Sequence, residues 1–341
     1  MRISKTTLAF LTIGALAAPG VDAATLVVLN KAEATASLID LDTGKVKKTL
    51  PTGDGPHEVA VSPDGTVALV TNYGNRKADG NSLTVIDVGA GKVISTIDLG
   101  EFKRPHGVRF LDGGRAVVTA EANKALLVVD VKTGEVESEI HTNQDVSHMV
   151  AVTPDGSRAF VANIGSGSVT AIDLDEGRVL AQIETGEGAE GIDVTPDGKE
   201  VWVTNRAADT VSVLDAASLE VLVTIPCAAF PIRVRITPDG RHALVSNARS
   251  ADLAVFDVAT RKEEKRIAFE REAASTEGRL FGDQFGDSSV PIGVVVAPDG
   301  STAWVAHANA DAISVVDLKS WEPTGHLVAG KEPDGMAYSP R

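Results

Sequence analysis

Short apolar runs separated by turns recur along the whole chain, and their spacing predicts a repeated all-β architecture. The marker is a tight turn, written SPDG at 62–65, LDGG at 111–114, TPDG at 153–156, 195–198 and 237–240, and APDG at 297–300, with Ser339 and Pro340 as a last, shortened copy. Equivalent positions of this marker are 49, 42, 42, 42, 60 and 42 residues apart. A self-similar period of this length is typical of solenoids, arrays and propellers.

Each repeat resembles four short strands. In the unit that begins at Glu190, the segments GIDVTPDG, KEVWVTN, TVSVLDA and LEVLVTI are rich in Val, Ile, Leu and Thr and show no helical period. Four-stranded units of about 40–45 residues are propeller blades. An aspartate recurs at the end of the third strand, where we expect it to bond turn backbone, at Asp40, Asp87, Asp130, Asp173, Asp215, Asp257 and Asp317. The pattern predicts a seven-bladed β-propeller.

The two ends of the chain complement each other. The C-terminal segment 334–339 supplies only a first strand, whereas segments 26–30, 37–41 and 46–50 supply a second, third and fourth strand. We therefore predict one all-β propeller domain over residues 24–341, whose last blade combines N-terminal strands with a C-terminal innermost strand. Such closure pairs edges that would otherwise be exposed.

Residues 1–23 are predicted to be a signal peptide. Arg2 and Lys5 precede an apolar stretch at 8–18, and the small-residue sequence VDA follows at 21–23. The apolar stretch is too short to span a membrane. We expect a periplasmic protein, with secretion as the alternative. The formal charge of −15 argues against nucleic acid or an anionic membrane as the principal partner.

The repeats resemble a known family. The segments VALVTNYGN at 67–75, RAFVANIGSGSVTAID at 158–173 and EVWVTNRAADTVSVLD at 200–215 are similar to the YVTN-type β-propeller repeats of exported bacterial and archaeal proteins. The resemblance covers essentially all of the chain after residue 23 and implies the fold. Similar propellers serve as binding proteins, surface-layer modules, redox-enzyme subunits and metal-dependent lyases or lactonases, so the function must come from the site.

Variation in loop length indicates the functional face. In a blade, the links from strand two to three and from strand four to the next blade emerge on the same face. Two of these links are long, at Tyr73–Ser82 and at Phe269–Ser289. Loops on a rigid scaffold often carry function. The longer one is either a hinged lid or a disordered loop.

Several histidines are expected on the same face of the propeller. The equivalent positions at the start of the first strand are His57, His106, His148, Glu190, Ile232, Ile292 and Asp334. Imidazoles grouped with a carboxylate are ligands that borderline divalent metals prefer. We therefore predict a divalent metal site at the channel mouth with His57, His106, His148 and Glu190 as ligands. The alternative, in which these histidines only hydrogen-bond neighbouring loops, stays open.

A second series ends the second strand, at Asn30, Asn72, Glu121, Asn163, Asn205, Asn247 and His307. The asparagines are expected to cap turns, whereas Glu121 and His307 depart from the series. In a metal-dependent enzyme, His148 or His307 would act as the base. Arg206 and Arg233 would hold an anionic substrate, unless they only pair with surplus acids.

Three functions follow from these residues. The first is a periplasmic binding protein for a divalent metal, a small anionic ligand, or both. The second is a metal-dependent lyase or lactonase-type enzyme that uses the same His/Glu site. The third is a protein-interaction scaffold with a periplasmic protein partner. Walker, GxSxG, CxxCH and CxxC motifs are absent from the sequence.

Overall fold

The structure is a computed structural model that describes residues 23–269, 279 and 281–341. The described residues form seven antiparallel sheets of four strands each, which confirms the predicted seven-bladed propeller. The predicted signal peptide, except Ala23, lies outside the described residues, as does much of the first half of the 269–289 insertion.

The strands follow one another blade by blade. The chain begins with β1 (Thr25–Asn30), β2 (Thr35–Asp40) and β3 (Lys45–Pro51). Blade 1 contains β4 (Pro56–Val61), β5 (Val67–Gly74), β6 (Asp79–Asp87) and β7 (Lys92–Asp98). Blade 2 contains β8 (Pro105–Phe110), β9 (Arg115–Ala120), β10 (Ala125–Asp130) and β11 (Val136–His141). Blade 3 contains β12 (Ser147–Val152), β13 (Arg158–Asn163), β14 (Ser168–Asp173) and β15 (Arg178–Glu184).

The second half repeats the plan. Blade 4 contains β16 (Ala189–Val194), β17 (Glu200–Asn205), β18 (Thr210–Asp215) and β19 (Val221–Pro226). Blade 5 contains β20 (Pro231–Ile236), β21 (His242–Asn247), β22 (Asp252–Asp257) and β23 (Lys262–Ala268). Blade 6 contains β24 (Pro291–Val296), β25 (Thr302–His307), β26 (Ala312–Asp317) and β27 (Glu322–Val328). The last strand is β28 (Pro333–Ser339), and short 3-10 turns cover Lys31–Glu33 and Glu121–Asn123.

Blade 7 closes the ring as predicted. Its strand order is β28-β1-β2-β3, and β28 runs antiparallel to β1 with Ser339 opposite Thr25 and Met336 opposite Val28. The innermost strand of the blade thus comes from the C-terminal end, and the other three come from the N-terminal end. This pairing protects strand edges on both segments.

Side chains are more buried on the inner strands of a blade than on its outer strand. Every residue of β1, a second strand, is buried, whereas β3, a fourth strand, buries only Leu50. The cores between blades consist mainly of Val, Leu, Ile and Ala, with Trp202, Phe160 and Phe256 as the largest fully buried side chains. No helix among the described residues is both long and apolar enough to cross a membrane.

The recurrent aspartates serve turns, as predicted. In all seven blades the carboxylate accepts a backbone N–H from the turn that follows; Asp40, for example, accepts the N–H of Thr43 at 2.8 Å. This backbone hydrogen bond lowers the pKa of Asp40 below its usual value. The predicted loop 73–82 differs from expectation, because β5 and β6 continue pairing as far as Gly74 and Asp79. It is a lengthened hairpin.

Ring closure generates the first prediction. Deletion of 334–341 removes most of β28 and exposes edges of β1 and of neighbouring innermost strands, so we expect loss of cooperative folding. Circular dichroism melts and size-exclusion chromatography measure this. Deletion of 340–341 alone is the control, since it leaves β28 in place. Equal melting of the longer truncation and the full chain would contradict the closure.

Candidate metal centre

The innermost strands share a bulge near their start. In β4, Pro56 pairs with Asn72 and the next paired residue is Val59, so the register shifts across His57 and Glu58. The same shift occurs in the other six innermost strands. Bulges re-aim side chains and are common beside functional sites. The second residue of each innermost strand therefore lies in the bulge; we call these seven residues the inner ring (His57, His106, His148, Glu190, Ile232, Ile292 and Asp334).

Threonine hydroxyls fix the backbone of this ring. Thr71 accepts the N–H of Glu58 at 3.0 Å and donates to the carbonyl of His106 in the next blade at 2.9 Å. Thr119 donates in the same way to the carbonyl of His148 at 2.6 Å. Each hydroxyl thus forms a hydrogen bond with the backbone of a bulge and links neighbouring blades.

Glycines allow the innermost strands to approach closely. A Cβ on Gly107 would lie 2.7 Å from the carbonyl oxygen of His148, and one on Gly335 would lie 2.4 Å from that of His57. Any side chain at these positions would push adjacent strands apart. The glycines and threonines together set the spacing of the inner ring.

Three imidazoles consequently share one buried space. Ring centroids are 4.0 Å apart for His57 and His106, 3.5 Å for His106 and His148, and 6.2 Å for His57 and His148. Their exposed fractions are 8%, 0% and 7%. The structure thus brings together the three histidines that the repeat alignment placed at equivalent positions.

A second ring lies beside the first. In each blade, one residue of the second strand pairs with the first residue of the innermost strand. The next residue along the chain donates its N–H to the carbonyl of the residue just before the innermost strand. We call these residues the rim ring: Lys31, Tyr73, Glu121, Ile164, Arg206, Ala248 and Ala308. Several rim residues contact the inner ring.

The sequence alignment misplaced Glu121 by one residue. Pro105 pairs with Ala120, just as Ser147 pairs with Asn163, so Ala120 takes the position of the asparagines. Glu121 is a rim residue instead. This shift turns it towards the channel histidines.

The asparagine series is structural, and two of its members cap turns as predicted: Asn72 Oδ1 accepts the N–H of Gly53, and Asn30 Oδ1 accepts the N–H of Gly330. Asn72 donates from its side chain to Ser82 and Thr84 and so ties the second strand to the third. His307 replaces an asparagine of this series: its Nε2 bonds Ser314 Oγ and its Nδ1 bonds Ser289 Oγ, each at 2.9 Å. Hydroxyls therefore occupy both ring nitrogens, and the structure groups His307 with these serines rather than with the channel histidines.

His57 lies beside a cation. Lys31 Nζ is in hydrogen-bond contact with His57 Nε2, and Asp334 Oδ2 lies 3.1 Å from His57 Nδ1. Burial lowers the pKa of His57 well below its usual value, and the charge of Lys31 acts in the same direction. A metal ion on His57 would meet electrostatic repulsion from Lys31.

Glu190 is held by two arginines. Arg206 contacts its Oε2, and Arg233 lies 3.0 Å from its Oε1. Burial by itself raises the pKa of Glu190, but Arg206, His148 and Arg233 outweigh it, and the pKa falls far below its usual value. Arg233 also pairs with Glu58 of blade 1 at 2.8 Å. The buried series Glu58–Arg233–Glu190 therefore crosses the channel, and we call it the ion-pair bar.

His148 is surrounded by carboxylates. Its Nδ1 contacts Glu121 Oε1, its Nε2 lies 3.4 Å from Glu190 Oε1, and Tyr73 donates to Glu121 Oε2 at 2.5 Å. Burial lowers the pKa of His148, but the carboxylates of Glu121 and Glu190 together outweigh burial, and the net shift is upwards. Among the described residues, Glu121 has no lysine or arginine partner, unlike Glu58, Glu190 and Asp334.

Unpaired polar atoms concentrate here. Nine buried side-chain N or O atoms of the described residues lack a well-aligned hydrogen bond, and five of them belong to this cluster: His57 Nδ1, both ring nitrogens of His106, His148 Nε2 and Asp334 Oδ1. His57 Nδ1 and His148 Nε2 still lie within 3.4 Å of a carboxylate oxygen. Buried polar groups in native proteins normally have partners. The described unpartnered atoms are therefore concentrated at the channel mouth.

Two sets of three residues could each surround an ion, with donor atoms within 4.8 Å of one another. The first set is His57, Glu58 and His106, and the second is His106, Glu121 and His148. Cations already pair with two members of the first set, whereas the second set has no lysine or arginine partner. Electrostatics therefore favours the second set as the place for a cation.

The other half of the mouth is apolar. Ile232, Ile292, Ala248 and Ala308 pack with Phe230, Phe285 and Val290. Ser288 Oγ bonds the carbonyl of Ala248, and Arg279 pairs with Asp311. The described part of the long insertion is therefore a packed cover over the apolar half.

The comparisons with known proteins agree on the fold. A family model described as YNCE-like beta-propeller matches residues 4–116 and 116–277. The structure of hydrazine synthase from Kuenenia stuttgartiensis is similar, with a TM-score of 0.69 and 22% identity over 91% of this chain and 99% of that chain. A functionally unknown protein from Desulfotomaculum acetoxidans DSM 771 superposes with a TM-score of 0.75 and 16% identity over 92% and 98%. The sequence matches none of the curated proteins compared.

The unpaired state of His106 generates the second prediction. His106→Leu removes two buried nitrogens that lack partners, so the metal-free protein should gain about 1–2 kcal/mol of unfolding free energy. Thr119→Val is the contrasting variant, because it breaks bonds that hold the ring, and it should lose about 1–3 kcal/mol. Urea unfolding in chelator measures both. Destabilisation by His106→Leu would instead mark this imidazole as structural.

The pKa shifts give a third prediction. Burial places the pKa of His106 well below its usual value, so below about pH 6.5 the unfolded chain binds more protons and stability falls as pH falls. The slope contributed by this histidine is at most about 1.4 kcal/mol per pH unit, while His148, whose pKa is raised, acts in the opposite direction. Unfolding of the metal-free protein between about pH 5 and 7 should therefore be less pH-dependent in His106→Leu. Parallel curves for the two proteins would contradict this assignment.

Proposed function

The chain belongs to the YNCE-like beta-propeller family, and we propose that it binds one divalent transition-metal ion in its channel through His106, His148 and Glu121. The observation that carries the proposal is His106, which is fully buried and has two ring nitrogens without partners. Such a side chain is costly to bury unless a ligand uses it.

The charge balance at the channel mouth supports a cation. Around the inner and rim rings, four carboxylates face three basic side chains, which leaves one formal negative charge when Lys31 is protonated and the histidines are neutral; the residues are Glu58, Glu121, Glu190, Asp334, Lys31, Arg206 and Arg233. The surplus carboxylate is Glu121. It is also the carboxylate in hydrogen-bond contact with His148 Nδ1.

The donor set suits borderline metals. Two imidazoles and one carboxylate are a donor set that binds zinc and leaves a coordination position open. Cobalt, nickel and copper accept the same donors. We propose that a small anionic ligand completes the coordination. The ion-pair bar from Arg233 to Glu58 and Glu190 closes the channel on one side of the cluster.

This ligand set differs from the sequence-based one. His57 is left out because Lys31 is bonded to it, and Glu190 because Arg206 and Arg233 neutralise it. Glu121 replaces them. His106 and His148 are kept.

We favour a binding protein over an enzyme. Arg206 and Arg233, the residues expected to clamp a substrate, are both bonded to Glu190, and hydroxyls hold His307. A metal-dependent lyase or lactonase is the second candidate, because the chain Tyr73–Glu121–His148 could carry a proton to or from a substrate.

We place this function in the periplasm, where the predicted signal peptide at 1–23 would deliver the protein. The partners in this proposal are the metal ion and a small anion, with a periplasmic protein as a possible receiver of the metal. The formal charge of −15 still argues against a nucleic acid.

The fourth prediction tests the ligand set. Untagged, chelator-treated protein should bind one Zn²⁺ or Co²⁺ per chain in calorimetry, with visible absorption reporting Co²⁺ coordination. His106→Leu, His148→Gln and Glu121→Gln should each weaken binding at least about tenfold. His57→Gln is the matched control, since it removes a neighbouring inner-ring imidazole outside the proposed set. No binding by the wild type, or equal loss in His57→Gln, would contradict the proposal.

A further inference from the structure

Lys31 is the only amine in the rim ring. Its side chain is 12% exposed, its Nζ contacts His57 Nε2, and Asp334 Oδ2 lies 3.4 Å away. The environment thus offers an imidazole and a carboxylate to one largely buried amine. His57 and Asp334 lie outside the metal ligand set proposed above.

The amine also lines a cavity. A space of about 440 Å³ opens between blades 7 and 1, and its walls include Lys31, Gly55, Gly74, Asn75, Arg76 and Lys77. Small-molecule sites commonly have volumes of about 300–1,000 Å³. The cavity is therefore large enough for a small metabolite beside the amine.

The cavity has charges of both signs. Its lining includes the carboxylates of Asp54 and Glu332 as well as Lys31, Arg76 and Lys77. Arg76 and Lys77 are exposed at the turn of the lengthened β5–β6 hairpin, whereas the Asp54 carboxylate accepts a hydrogen bond from Asn75 at 2.8 Å. The two exposed cations at this entrance favour a ligand with a carboxylate.

We propose that Lys31 forms an imine with small carbonyl compounds that carry a carboxylate, such as 2-oxo acids. The Nζ lone pair attacks the carbonyl carbon, and the carbonyl oxygen takes a proton to give a carbinolamine. Nitrogen then loses one proton, which passes to the hydroxyl; the hydroxyl leaves as water and the C=N bond forms as a protonated imine, without oxidation or reduction. His57 and Asp334 are positioned to transfer these protons.

Burial supports the nucleophile. It lowers the pKa of Lys31, against the opposing charges of Asp334 and Glu332. Lysines that form imines are commonly activated by desolvation. The equivalent rim residues of the other blades include no lysine, so repetition of the fold does not account for this one.

The fifth prediction traps the imine. Chelator-treated protein is incubated with glyoxylate and cyanoborohydride near pH 7, and peptide mass spectrometry locates the reduced adduct. We expect Lys31 to be modified at least about tenfold faster than exposed lysines, because it reacts as the neutral amine. Lys31→Arg should remove that adduct, whereas Lys124→Arg, at a half-exposed lysine paired with Asp145, should retain it. Melting curves of both variants verify folding.

A second variant tests the anion preference. Arg76→Ala with Lys77→Ala should slow labelling by glyoxylate but leave labelling by uncharged propanal unchanged. Equal effects on the two aldehydes would overturn the carboxylate assignment. Labelling spread over surface lysines, unchanged in Lys31→Arg, would overturn the imine itself. Because chelator is present, neither result depends on the metal proposal.

Discussion

The structure depends on the close approach of seven bulged innermost strands around one channel. Gly107 and Gly335 remove the side chains that would separate neighbouring strands, and the hydroxyls of Thr71 and Thr119 each donate a hydrogen bond to the bulge of the next blade. The second residue of every innermost strand is thereby forced into a shared, buried space. Whatever residues the chain places there must interact with one another.

Much of this could be predicted from the sequence. A marker that recurs every 42 residues in most repeats identifies the blades, since each must present the same strand and turn residues. Equivalent positions in a closed ring also meet near its axis, which is why His57, His106 and His148 were expected together. The composition of blade 7 could also be predicted, because the C-terminal end of the chain supplies only a first strand and the N-terminal end supplies the three other strands.

The partners of the histidines were harder to predict. Glu121 was aligned with the asparagines by its distance from the turn, although matching Thr119 to Thr71 and Thr204 would have shifted it by one residue. In a strand, one residue decides which way a side chain faces. Lys31 contacts His57 of the following blade, and Arg233 bonds Glu58 of a blade far away in the sequence. Spacing within a repeat carries no information about either contact, because each joins two different blades.

We propose that His106, His148 and Glu121 hold a metal, while His57 and Glu190 are paired with cations of the protein itself. Crystals soaked in Zn²⁺ and measured on both sides of the zinc absorption edge would locate the ion. We expect one strong anomalous peak among His106, His148 and Glu121. A peak between His57 and Asp334, or zinc found only on surface carboxylates, would contradict it.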